Sequence, residues 1–308
     1  MRRKLKSQIS NIKSSRIFLY VLIFILSCVM VFIFFKQLSA SLFFIKKDRI
    51  NVVYYGKNTI FYSLGKYDGV HYFISFYPDV KVKVPGGYGS YRVGALGKMI
   101  VLEKKSDLIR KAFSATIAST VDKYYYRSSQ EIYYGKEELD ETSFGFPSFG
   151  DIFFSPSNSN IFDRIFIFLK FVGKQKRQFE KIEYKSYIGV EEEFFQDKDF
   201  AKKYQGFLYN RIYRKEQKTV QIIYHRSYNT ALLISKIIEG DGIRVVDLSE
   251  NTKEGTERSC KIIEQGDRFS QSAIDMAAFF TCKLSHGRTE SSDIIIQLGI
   301  AEKEWEIL

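Results

Sequence analysis

The apolar pattern opens on nineteen residues without a charge, Ile17 to Phe35, reading IFLYVLIFILSCVMVFIFF. As a helix rising 1.5 Å per residue this run reaches about 28 Å, close to the hydrocarbon thickness of a bilayer. A buried core helix of that length would show a polar face. A cleaved signal peptide would have a shorter apolar run, about 7–15 residues, ending at a small-x-small site, which Ser39-Ala40-Ser41 imitates. The expectation is a single transmembrane helix over 17–35. Arg2, Arg3, Lys4, Lys6, Lys13 and Arg16 precede it, and Lys36, Lys46, Lys47 and Arg49 follow it. The richer N-terminal flank places residues 1–16 in the cytoplasm as a tail and the remainder outside the membrane, single-pass.

Beyond the span the pattern shortens. INVVYYG, TIFYSLG, VHYFISFYP and VKVKV, between Ile50 and Val84, read as strands separated by turn formers, and the last alternates lysine and valine like a strand with one wet face. Lys104 to Thr120 carries Leu108, Ile109, Ala112, Phe113 and Ile117 at three- and four-residue spacings, predicting a helix that Ser106 would cap. Asn160 to Gly173 predicts a second helix, ended by its glycine. The chain from residue 219 is clearer. TVQIIY, a helix opened by Asn229, IRVVDL, a strand over Ser259–Glu264, a helix capped by Ser270 and the closing SDIIIQL give β-α-β-β-α-β. That order predicts a two-layer sandwich, with both helices on one sheet face. The fold class is therefore α/β (α+β): an N-terminal transmembrane helix, a mixed-sheet domain over 50–215 and the sandwich over 218–300.

Charge sharpens this division. The 308 residues carry a net charge of +12. The segment from Thr219 holds 10 Lys+Arg against 14 Asp+Glu, so residues 1–218 carry +16. The basic part lies outside the membrane, which argues against nucleic acid and for an anionic lipid or polymer.

Searches for catalytic motifs return little. The run from Gly86 to Gly97-Lys98 has Arg92 where a phosphate loop needs its first glycine and Met99 where it needs Ser or Thr. GxGxxG and GxSxG are absent, and His71, His225 and His286 are too scattered for a helical metal motif; no metal site is expected. Cys260 and Cys282 fall in one small domain, and outside the cell such a pair can oxidise; the alternative is two buried thiols. Cys28 lies within the span as an apolar residue.

In order, these pieces resemble the LytR–CpsA–Psr family followed by a LytR C-terminal domain. The resemblance is carried by INVVYYG, YDGVHYFISF and VKVKVPGGYGSYRVGALG in the first half. In the second half it is carried by TVQIIYHRSYNTALLISKIIEGDGIRVVDL and SDIIIQLG, with His225-Arg226-Ser227 in place of the domain's usual Asn-Gly. The resemblance implies transfer of a glycopolymer from a polyprenyl pyrophosphate lipid to peptidoglycan, with arginines on the pyrophosphate and aspartates on Mg²⁺. Of the family's Arg-Ser-Asp-Thr, only Asp68 matches within Lys66-Tyr67-Asp68-Gly69. Its Ile-Pro-Arg-Asp appears as Val84-Pro85-Gly86-Gly87, with both charged residues lost, and Arg92 falls near a later basic position. Losing even one group of this kind typically costs about 10²- to 10³-fold in rate.

Two readings follow. The first is a degenerate, non-catalytic binding or scaffold protein of the cell envelope, without a cofactor. It would contact anionic wall polymer, polyprenyl-linked lipid or a partner protein, with Arg92, Lys98 and Arg110 as ligand candidates beside Lys104 and Lys105. The alternative is an active phosphotransferase using Mg²⁺, with Asp68 and Arg92 as catalytic candidates and Lys98 beside them. It requires Asp68, Arg92 and Lys98 to converge on one cleft.

Overall fold

A computed structural model describes residues 2–127, 131–135, 145–188, 193–251 and 259–307. The chain divides into two units: residues 1–45 with 160–167, and residues 46–159 with 168–308.

In the first unit, helix α1 runs from Arg2 to Ser39. It contains a 22-residue segment, Phe18–Ser39, that is long and apolar enough to cross a membrane and has no buried residue. The helix begins well before the expected residue 17 because no proline or glycine interrupts the basic flank. Past its end, the Leu42 amide donates to Asp163 Oδ1 at 2.8 Å, and Asn160 Nδ2 donates to the Gln37 carbonyl at 3.1 Å. Asp163 and Asn160 also satisfy each other's amides, at 3.0 and 2.8 Å, which starts the next helix here.

The second unit begins with strands β1 (Arg49–Tyr55), β2 (Thr59–Gly65), β3 (His71–Phe76), β4 (Lys81–Val84) and β5 (Gly89–Arg92). Helices α2 (Leu96–Glu103) and α3 (Leu108–Ile117), strand β6 (Lys123–Tyr126), and helices α4 (Phe149–Phe153) and α5 (Ile161–Phe171) come next; α5 starts in the first unit. Strands β7 (Phe179–Lys181), β8 (Ser186–Ile188) and β9 (Glu193–Phe195) and helices α6 (Asp197–Lys203) and α7 (Arg211–Glu216) complete this half. Strands β1, β2 and β3 form an antiparallel meander, flanked by β6 parallel to β1 and β7 parallel to β3. A smaller sheet has the order β5-β4-β9-β8. Helix α3 packs on β4, β1 and β6, and the alternating lysines and valines of β4 turn Val82 and Val84 into the core.

The helix expected over 104–120 is present but shorter, as α3 over Leu108–Ile117, and a separate helix, α2, precedes it across a corner. Lys104 adopts a left-handed φ of 53° that ends α2, and the Ser106 hydroxyl pairs with Tyr124 Oη at 3.0 Å instead of capping α3. Helix α2 itself lay hidden in a glycine-containing stretch.

The C-terminal half comprises β10 (Thr219–Tyr224), α8 (Tyr228–Gly240), β11 (Arg244–Glu250), β12 (Lys261–Glu264), α9 (Gln271–Phe280), β13 (Lys283–His286), β14 (Ile294–Gln297) and α10 (Ile300–Glu304). The expected alternation of strands and helices is present, with two additions, β13 and α10, and the sheet order is β11-β10-β14-β12-β13. Val220, Ile222, Ile262, Ile294 and Ile296 join residues of α8 and α9 in one core. Ser227, rather than Asn229, caps α8, accepting the Thr230 amide at 3.2 Å.

The halves meet over buried polar groups. The carboxylate of Asp241, 3% exposed, accepts from the Ser119 hydroxyl (2.5 Å), the Thr120 amide (3.0 Å) and the Thr120 hydroxyl (2.6 Å). Lys47 Nζ lies 2.8 Å from Asp122 Oδ1 and donates to Thr120 Oγ1 at 3.3 Å. Burial alone would lower the Lys47 ammonium, but Asp122, Asp241 and Asp275 outweigh it and raise its pKa. Burial raises the Asp241 carboxyl against the pull of Lys47. Gly240 lies against this junction, where a Cβ would run into the Ala118 carbonyl.

Candidate functional site

The sequence candidates separate in space. Asp68 lies in the β2–β3 turn, where Oδ1 accepts the Val70 amide at 3.0 Å. Its Oδ2 is 3.2 Å from Arg49 Nη2 and 3.8 Å from Arg211 Nη2. Arg49 is buried, donates to the Ser63 hydroxyl at 3.3 Å and stacks over Tyr72 at 4.9 Å. Burial lowers its pKa while Asp68 opposes the fall. Arg92, at the end of β5, faces Asp79 at 3.7 Å and the Tyr134 ring at 4.7 Å. Lys98 is exposed on α2. Arg110 grips Asp107 at 2.7 and 3.2 Å, donates to the Phe279 carbonyl at 3.3 Å and lies over that ring. Asp68, Arg92 and Arg110 thus have different partners on different elements.

Magnesium does not fit these residues. It wants several oxygen ligands in near-octahedral array, whereas Asp68 is shared by two guanidinium groups and the family's second carboxylate position is Gly87. Among the described residues no three His, Cys, Asp or Glu side chains gather as a metal-binding set. Cys260 and Cys282 are joined by a disulfide across a separation of 22 residues, and Cys28 is a free thiol on the exposed span.

The glycine-rich segment has a structural explanation. Tyr55 Oη accepts the Gly97 amide at 2.7 Å and donates to the Gly94 carbonyl at 3.2 Å, and a Cβ on Gly97 would sit 2.8 Å from the Tyr55 ring. An amide that a phosphate would take is therefore held by a tyrosine, whose own hydroxyl burial pushes up to about 12.

Gly86 and Gly87 adopt φ of +97° and +78°, a region that L side chains rarely enter. Their amides both donate to the Glu306 carbonyl, at 2.8 and 3.0 Å. The turn that would carry the family's Arg-Asp is thus closed by the C-terminal strap. The strap is fixed on its other side by Glu302, a buried carboxylate that accepts the amides of His225 (2.9 Å), Arg226 (2.6 Å) and Ser227 (2.5 Å) at the start of α8. A negative charge there complements the helix dipole. Trp305, fully buried, packs on Phe279 and Phe280 with ring centroids 5.5 and 5.3 Å away.

A groove of about 550 Å³ opens beside this turn, with Gly86, Tyr88, the α2–α3 corner from Lys104 to Leu108, Lys111, Ile300, Lys303 and Glu304 around it. Its carboxylates are matched: Asp107 by Arg110, and Glu304 by Lys111 at 3.0 Å. Lys105 donates to Tyr88 Oη at 3.3 Å. Lys104 and Lys303 are exposed and make no ion pair with any described residue. The groove therefore presents unbalanced positive charge, using the Lys104 and Lys105 of the sequence reading and omitting Arg92, Lys98 and Arg110. Sequence reasoning missed Lys303, Glu302 and the strap. The signal available was Trp305, the single tryptophan, in a tail beyond the expected last strand.

No family model matches the sequence, and no curated protein matches it. Solved structures of similar fold include TagU of Bacillus subtilis, 9% identical over 51% of this chain and 94% of that chain, with a TM-score of 0.35. TagT of the same organism is 10% identical over 51% and 88%, with a TM-score of 0.34. A B. subtilis protein described as the transcriptional regulator yvhJ is 11% identical over 51% and 94%, with a TM-score of 0.33. At TM-scores this low the likeness carries no argument about activity; the residues have to supply it.

Proposed function

We propose that this protein is a membrane-anchored component of the cell envelope that holds a segment of anionic wall polymer, through its phosphate or carboxylate groups, without transferring it. Residues 1–16 lie in the cytoplasm and the two α/β halves outside, the second being a LytR C-terminal-like domain. One observation carries the reading. The two positions where the resemblance demands arginine and aspartate are positive-φ glycines whose amides are occupied by the Glu306 carbonyl, beside a groove with unpaired lysines. Phosphoryl transfer needs charge clamps on the transferring group. Here the turn has no charge to offer, while Lys104 and Lys303 supply attraction without geometry for catalysis.

The test uses the full chain in lipid nanodiscs with Mg²⁺, a polyprenyl-pyrophosphate-linked glycan and peptidoglycan fragments, alongside Asp68→Ala. The expected result is retention of the polymer and no transfer by either protein. Transfer by the unmodified chain that disappears in Asp68→Ala would establish the phosphotransferase instead.

A further inference from the structure

Gly86 and Gly87 aim two consecutive amides at one oxygen, the Glu306 carbonyl, at 2.8 and 3.0 Å. Both glycines hold a positive φ, and successive amides turned to one side in this way form a concave donor pair of the kind that binds anions. The pair is half-buried at the rim of the groove, whose lining sets Lys104, Lys105, Lys111 and Lys303 against Asp107 and Glu304, a net of +2. The Glu306 carboxylate is also close, since a Cβ on Gly87 would lie 3.7 Å from its Oε2. The strap thus puts an oxygen acceptor and a negative charge where an anionic ligand of the groove would sit.

The strap is gripped unevenly. As far as Trp305 it is fixed by the Glu302 carboxylate on three amides and by a fully buried ring. Beyond Trp305 the hold is thin. Among the described residues the two glycine amides make the only hydrogen bonds of Glu306 and Ile307, and Ile307 packs, partly buried, on the core of the C-terminal half. Segments with so few contacts open at low free-energy cost. A phosphate oxygen is also the stronger acceptor, because a charge-assisted hydrogen bond is roughly twice as strong as a neutral one.

We propose that the Gly86 and Gly87 amides are an anion subsite of the groove, kept closed by the strap through Glu306 until a phosphate oxygen of the polymer takes the place of that carbonyl. The inference rests on the binding reading above and adds its regulation. The same groove binds weakly with the strap shut and tightly with it displaced.

The test uses the full chain in nanodiscs of phosphatidylcholine, with a soluble poly(glycerol phosphate) as the probe. Glu306→Cys, made in a Cys28→Ser background, carries a nitroxide that reports the mobility of the strap, while Cys260 and Cys282 stay closed in their disulfide. Ile307→Ala loosens the packing of the strap and leaves both glycine amides and the Glu306 carbonyl in place. The nitroxide is expected to be immobile alone and mobile with polymer bound. Ile307→Ala is expected to bind the polymer about fivefold more tightly than the unmodified chain, since less of it is held in the closed form. A nitroxide still immobile at saturating polymer, or an Ile307→Ala affinity no tighter, would overturn the role of the strap while leaving the groove as a binding site. Polymer bound by neither protein would overturn the binding reading and this inference with it.

Discussion

The Glu306 carbonyl accepts the Gly86 amide at 2.8 Å, so the last residues of the chain close the turn on which the family resemblance would place charged chemistry. Glycine is needed at both Gly86 and Gly87 because φ there is +97° and +78°. Gly86→Arg or Gly87→Asp therefore does not restore a clamp. Each is expected to cost about 1–3 kcal/mol of backbone strain, measured by the thermal unfolding midpoint. An unchanged midpoint would show that the turn can open without the strap.

Glu302 is the other attachment of the strap. Its carboxylate takes three amides at the N-terminus of α8 while 4% exposed. Glu302→Ala leaves those donors buried and is expected to destabilise by roughly 2–3 kcal/mol, with Glu302→Gln losing about 1 kcal/mol. The Trp305 fluorescence transition reports both, since that ring packs in the same segment. Equal midpoints for the two variants would place the stabilisation in packing instead of charge.

His71 is expected to contribute to the loss of stability in acid. It is buried, its Nδ1 accepts the Gly65 amide at 3.2 Å, and it stacks on Phe179. Burial foremost, then Lys174, Lys170 and Arg49, lower its pKa from 6.5 to about 4, with Asp68 opposing. An unfolded histidine thus takes a proton at higher pH than the folded one. Its contribution is complete above pH 6.5 and is lost as pH falls toward 4, about 3 kcal/mol at full extent. His71→Asn keeps an acceptor for the Gly65 amide and cannot titrate in this range. Its stability should fall less than that of the unmodified chain between pH 6.5 and pH 4, followed by denaturant unfolding. Parallel declines would assign the response to carboxylates.

Much of the architecture was legible because period and punctuation agreed. The alternating VKVKV of β4, the glycine after α5 and the serine before α9 each have a local cause. Elements set by distant partners were not legible. Helix α2 contains Gly97, which reads as a loop until Tyr55 is seen pressing on it from β1. Strand β13 has one apolar residue, Leu284, and is held through its ladder with β12. For the site, the sequence indicated which charges were missing, since Gly86 and Gly87 stand where they should be. It did not indicate that Glu306 fills the gap, because that contact joins Gly86 to a residue 220 positions further along the chain.

The most direct test of a binding groove without catalysis is an affinity measurement of the full chain in nanodiscs with a soluble poly(glycerol phosphate), at fixed ionic strength. Lys104→Ala combined with Lys303→Ala removes the unpaired cations and is expected to weaken binding about tenfold, roughly 0.7 kcal/mol per lysine, with a shallower salt dependence. Unchanged affinity in that variant, or an equal loss from Lys98→Ala alone, would contradict the groove as the binding site.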